Sequence, residues 1–118
     1  MYSSKILDHF HHPRHAGEIH KADAVVEAQN PVCGDVLKLW AIVKDQTLQG
    51  ATFKAAGCVP AIACGSWLVE WIQGKNKKEL SGLSPAQIED ALGGLPAASK
   101  HAAALACEAL EKLLEELR

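Results

Sequence analysis

Aromatic residues make up only 5% of the 118, and no charge of one sign dominates, with twelve Lys and Arg against fourteen Asp and Glu. Without a basic excess there is no field to hold a phosphate backbone or an anionic membrane, so neither nucleic acid nor membrane is expected as a partner. Long apolar runs are missing too. The first residues lead into a charged amphipathic segment rather than the apolar core of a signal peptide, and the expectation is a cytoplasmic protein. Cysteine is scarce: four thiols are too sparse for a disulfide scaffold, and in a reducing compartment such thiols read first as metal ligands or reactive groups. Repeats, linkers and low-complexity tracts are lacking. What is present, 48% hydrophobic residues in a short chain, suits one compact core and a single domain over residues 1–118.

The apolar pattern changes period once along the chain. Residues 2–10 carry Ile6, Leu7 and Phe10 at the spacing of a short amphipathic helix, followed by an irregular histidine-rich loop punctuated by Pro13 and Gly17. Three strand-like runs follow at 24–28, 36–43 and 48–56, and the connection at 44–47 has hairpin length, which makes the last two antiparallel neighbours. After Cys58 the period becomes helical. Pro60 suits a first turn, Ala61, Cys64, Leu68 and Trp71 recur at three to four residues, and Gly74 suits a stop. Residues 75–80 read as a polar, solvent-exposed turn containing Lys75, Lys77 and Lys78. Ser84, Pro85 and Gln87 read as cap, first position and N3 of a short helix, and 97–117 as a long amphipathic helix. Strands first and helices after give an α+β class, a small three-stranded antiparallel sheet with helices packed on one face.

Two thiols stand where chemistry is favoured. Cys33 lies in the turn-forming Asn30-Pro31-Val32-Cys33-Gly34-Asp35, and Cys58 at a strand end and helix start, where free N–H groups and the helix dipole favour thiolate. A hairpin of the second and third strands would bring both to one end of the sheet. Asp35 could add an oxygen ligand or an acid/base group. Cys64 falls on the apolar stripe with Leu68 and Trp71 and reads as a core thiol, with a spare ligand or resolving thiol as the alternative. Cys107 shares a face with Leu110 and Leu114 and reads as buried. The histidines at 9, 11, 12, 15 and 20 fit no single ligating face and read as a solvated loop.

Taken in order, Tyr2-Ser3-x-Lys5-x-x-Asp8-His9, Pro13-Arg14, Asn30-Pro31-x-Cys33-Gly34-Asp35, Phe53-Lys54-x-x-Gly57-Cys58, Ala61-Ile62-Ala63, Ser66, Glu70-Trp71 and Gly74-Lys75 resemble the IscU/NifU/SufU-type iron-sulfur cluster assembly scaffolds over almost the whole chain. The resemblance implies a SufE/NifU-like fold. It also implies a scaffold that takes sulfur from a cysteine desulfurase, assembles a transient [2Fe-2S] cluster from iron and sulfide, and passes it to apo iron-sulfur acceptor proteins. Some members hold zinc at the same site. Residue by residue, Cys33 and Cys58 match the first two ligand cysteines, Asp35 the aspartate that modulates cluster lability, and His101 the histidine before the third cysteine. That third cysteine is replaced by Ala102. Cys107 follows five residues later, about 140° around a helix, and cannot substitute for it. The implied donor set is Cys33, Asp35, Cys58 and His101, with Cys64 as the alternative ligand. Loss of a thiolate leaves a second reading, a zinc-containing, SufU-like sulfur relay that activates the desulfurase and carries persulfide on Cys58. Leu95-Pro96-Ala97-Ala98-Ser99 only partly matches the family's Leu-Pro-Pro-Val-Lys chaperone signal, which weakens the case for a chaperone partner.

Overall fold

The computed structural model describes residues 2–31 and 34–117. Helix α1, Ser4–His11, starts at Ser3, whose hydroxyl accepts from the Ile6 amide at 3.1 Å and donates to the Leu92 carbonyl. One residue thus caps the helix and ties it to a distant segment. Strands β1 (Ala24–Gln29), β2 (Val36–Lys44) and β3 (Thr47–Ala56) form an antiparallel sheet in the order β1-β2-β3. Asp45 and Gln46 both take positive φ, 52° and 62°, as a two-residue type I′ turn requires, and this tight turn joins β2 to β3. The register runs from Lys44↔Thr47 at the turn to Val36↔Ala56 at the far end, so Asp35 and Gly57 leave the sheet side by side.

Alternation sends Val26, Leu39 and Phe53 to one face of the sheet. On that face lie α2 (Val59–Ile72), against β3, and α5 (His101–Glu116), against β1. A Cβ on Gly65 would stand 2.8 Å from a Phe53 ring carbon and 2.9 Å from a Leu37 methyl, so glycine there is what lets α2 approach this closely. Helix α4 (Pro85–Ala91) has the expected capping box between Ser84 and Gln87.

The outer edge of β3 is covered rather than bare. Gly17 N–H donates to the Phe53 carbonyl and Phe53 N–H to that of His15, the Gln73 amide brackets Ala51, and Leu48 exchanges bonds with Gly74 and Lys75. Residues 18–22 then cross from this edge to β1, and the Glu18–Lys54 ion pair at 2.8 Å puts the crossing on the face away from the helices. Trp40, on that face, is only 6% exposed.

Three sequence expectations need correction. The polar turn at 75–80 contains a one-turn helix, α3 (Lys77–Leu80), because Asn76 and Glu79 cap each other, and Leu80 is fully buried. Lys77 and Lys78 are exposed, but Lys75 is half-buried, donates to the Trp71 carbonyl and lies over the Trp71 ring at 4.7 Å. The last helix does not begin at 97: Pro96 holds an extended ψ, Ser99 N–H closes a 3₁₀ turn onto the Pro96 carbonyl, and regular helix starts at His101. His9 does not belong to a solvated loop. It is 8% exposed on α1, with Nδ1 2.8 Å from the Ser66 hydroxyl, while the Arg14 amide donates to the same hydroxyl at 2.9 Å. The Ser66 hydroxyl thus joins the His9 ring to the Arg14 backbone, and burial holds the His9 pKa below the ordinary histidine value, which favours the neutral imidazole. The other four histidines of that segment are exposed, as expected.

Candidate metal centre

Three separate elements converge at the end of the sheet away from the hairpin turn. Asp35 is the last residue before β2, Cys58 caps α2, and His101 is the first residue of α5. The hairpin register joins the first two, and packing of α5 beside α2 delivers the third.

Asp35 is only 3% exposed, and its carboxylate is the hub. Oδ1 accepts from the Cys58 amide at 3.2 Å. Oδ2 accepts from the Cys58 thiol at 3.2 Å and faces His101 Nε2 at 3.1 Å, and Sγ and Nε2 are 3.9 Å apart. With the Cys58 amide and thiol donating to it and His101 Nε2 within hydrogen-bond distance, the buried carboxylate has partners on both oxygens, which is what makes its burial tolerable.

The expectation of a Cys58 thiolate fails. Burial pushes its pKa up, the Asp35 carboxylate pushes the same way, and the Ala61 amide at the helix start, which pulls it down, is outweighed. The thiol keeps its proton and donates a hydrogen bond to Asp35. A metal arriving at the site must displace that proton.

The donor set fits a metal ion. One atom each from Asp35, Cys58 and His101 lie within 4.8 Å of one another. Ligands at tetrahedral positions around zinc stand roughly 3.3–3.8 Å apart, close to the separations seen, and sulfur, imidazole and carboxylate are all accepted zinc donors. The same mixed set accommodates iron. On the His101 side the site borders an open depression of 310 Å³ that includes Gln29, Asn30 and Glu108. A larger apolar depression of 440 Å³, between Pro13 and Ile62, offers Lys54 as its one charged group and no metal donor.

The remaining sequence candidates divide clearly. Cys33 lies outside the described residues. Cys64 has no exposed surface; it sits in the core with its pKa pushed up to about 12, and it is not among the converging donors. Cys107 is buried as expected, its thiol 3.6 Å from the Leu83 carbonyl. Ala102, beside His101, is 1% exposed and supplies no donor. Sequence reasoning missed Gly57: a Cβ there would stand 2.0 Å from Asp35 Oδ1. The Gly-Cys dipeptide was the available signal.

Comparison with known proteins bears on this site. The family described as NifU-like N terminal domain matches residues 1–117. The iron-sulfur cluster assembly scaffold protein IscU 1 of Archaeoglobus fulgidus is 40% identical over 114 residues, spanning 97% of this chain and 74% of that protein. IscU of Escherichia coli strain K12 is 34% identical, with 99% and 94% covered. Among solved structures, FiSufU from Fervidobacterium islandicum AW-1 superposes with a TM-score of 0.78 over 96% of both chains, at 24% identity, a likeness of fold. No helix among the described residues is long and apolar enough to cross a membrane.

Proposed function

Because the chain belongs to the NifU-like N-terminal domain family, whose relatives named above are iron-sulfur cluster assembly scaffolds, we propose that it assembles a transient [2Fe-2S] cluster from iron and sulfide and transfers it to acceptor proteins. The observation that carries this reading is the convergence of Asp35, Cys58 and His101. Cys33 is the proposed fourth donor. A cysteine desulfurase supplies the sulfur as persulfide, two equivalents of a thiol reductant such as free cysteine release it as sulfide and leave as disulfide, and apo iron-sulfur proteins receive the cluster.

Clusters of this kind are ordinarily held by four thiolates. With Ala102 in place of a third, the set is two sulfurs, an imidazole and a carboxylate, and the hard oxygen donor binds an iron-sulfur unit less tightly than thiolate would. Weak retention suits a scaffold, whose task ends in release. Asp35 and His101 would hold the iron, and the two cysteines would hold it more firmly until an acceptor thiolate displaces them. The sulfur-relay reading is less well supported, because the curated relatives named above are scaffolds.

Anaerobic incubation with ferrous iron, cysteine and a cysteine desulfurase tests the proposal. Iron and acid-labile sulfide should appear in near-equal amounts and be lost in Cys33→Ala and Cys58→Ala. Tightly held zinc with no sulfide would overturn the scaffold reading.

A further inference from the structure

Gly57 links β3 to Cys58 with a φ of +138°, a conformation that L side chains rarely adopt. Conformation is only half of what requires glycine here. An added Cβ would meet Asp35 Oδ1 at 2.0 Å, Asp35 Cγ at 2.7 Å and the Asp35 Cα at 3.1 Å, so the carboxylate occupies the volume a side chain would fill. The same Oδ1 accepts the Cys58 amide, and the neighbouring Oδ2 meets both the Cys58 thiol and His101. The other close-approach glycine, Gly65, faces only Phe53 and Leu37, both core groups.

We propose that Gly57 is a positioning residue: the space left by its missing side chain is the seat that holds the Asp35 carboxylate against Cys58 and His101. It touches no cargo itself. It acts through Asp35, whose carboxylate could not lie in this plane beside the Cys58 amide if residue 57 carried a Cβ. The seat also explains how a carboxylate is kept buried at the rim of an otherwise accessible site. The Gly57 backbone lies against one oxygen of the carboxylate, and His101 Nε2 stands 3.1 Å from the other.

The inference rests on the reading that Asp35, Cys58 and His101 form a metal site, and a double-mutant cycle separates the two. Gly57→Ala, Asp35→Ala and the double variant are compared by thermal unfolding and by titration with zinc alone. If the carboxylate is what the Cβ strikes, Gly57→Ala lowers the melting temperature much less in the Asp35→Ala background than in the wild type, because contacts in one seat do not add. Gly57→Ala also weakens zinc binding by about 10- to 100-fold, the scale of losing a group that orients a ligand, and the double variant binds no worse than Asp35→Ala. Should Gly57→Ala fail to fold, folding of the double variant supports the seat, and its failure overturns it. Equal melting shifts in both backgrounds overturn it too, since they make the cost a backbone one. Absence of zinc binding in the wild type would count against the metal-site reading alone, because the melting comparison still decides the role of Gly57.

Discussion

Cys58 and Cys64 stand on the same helix and live in different chemistries. Cys58, at the cap, is half-exposed, bonded to a carboxylate and within reach of an imidazole. Cys64, further along, has no exposed surface and belongs to the hydrophobic core, where burial disfavours the anion. Both thiols have raised pKa values and for both the first cause is burial. What separates them is company. Next to Cys58 an arriving cation finds two more donors, whereas at Cys64 it would have to unpack the core. A cysteine count says little about ligation until each thiol's neighbours are known.

Alkylation should break the pair apart most widely. In the metal-free protein, with Cys33→Ala so that one site thiol reports, iodoacetamide should label Cys58 and spare Cys64 and Cys107 until the chain unfolds. The rates should differ by about 10³-fold or more, since a core thiol reacts only through opening. Peptide mapping reads the result, and comparable labelling of Cys64 would erase the distinction.

Substitution sharpens it further. Cys58→Ser should cut zinc affinity by more than about 100-fold, beyond what loss of an outer-shell partner costs. Cys64→Ala should leave zinc affinity unchanged and cost about 1 kcal/mol of stability in urea unfolding, the loss of one buried sulfur. Calorimetric titration that found Cys64→Ala unable to bind zinc would restore Cys64 as a ligand.

A further contrast lies in alkali. Folding raises the Cys64 pKa to about 12, so above the ordinary thiol range the unfolded chain loses a proton that the folded chain keeps. The contribution is fully present below the unfolded value and declines as pH rises towards the folded one, by about 1.4 kcal/mol per pH unit. Urea unfolding at about pH 8 and pH 10 should show this loss in the wild type and a shallower one in Cys64→Ala, with Cys58 and Cys107 still contributing in the same direction.

Most of the frame was legible beforehand, for local reasons. A run rich in Val, Leu, Ile and Trp marked β2, alternation around Phe53 marked β3, a Ser-Pro-x-Gln signature marked α4, and hairpin connectivity alone put the segment before Val36 beside the segment after Ala56. His101 was reached only through family resemblance, since nothing local says that the first residue of α5 meets the hairpin's end. Two of the errors share an origin. His9 is buried by Ser66, 57 residues away, and the Cys58 thiol is held protonated by its surroundings and by Asp35, so both depend on partners that no local window contains. The one-turn helix α3 was missed although Asn-x-x-Glu was in view, because the lysines beside it suggested a solvated turn.

A helix that begins off a 3₁₀ turn with no side-chain cap frays more readily than one whose first amides are held. His101 rides on the first residue of such a helix, whereas Asp35 adjoins a paired strand and Cys58 is backed by that carboxylate. Fraying at this helix start would therefore move the imidazole while the paired hairpin that positions Asp35 and leads into Cys58 keeps its register, so the three side chains are tied to the fold through two independent structural units.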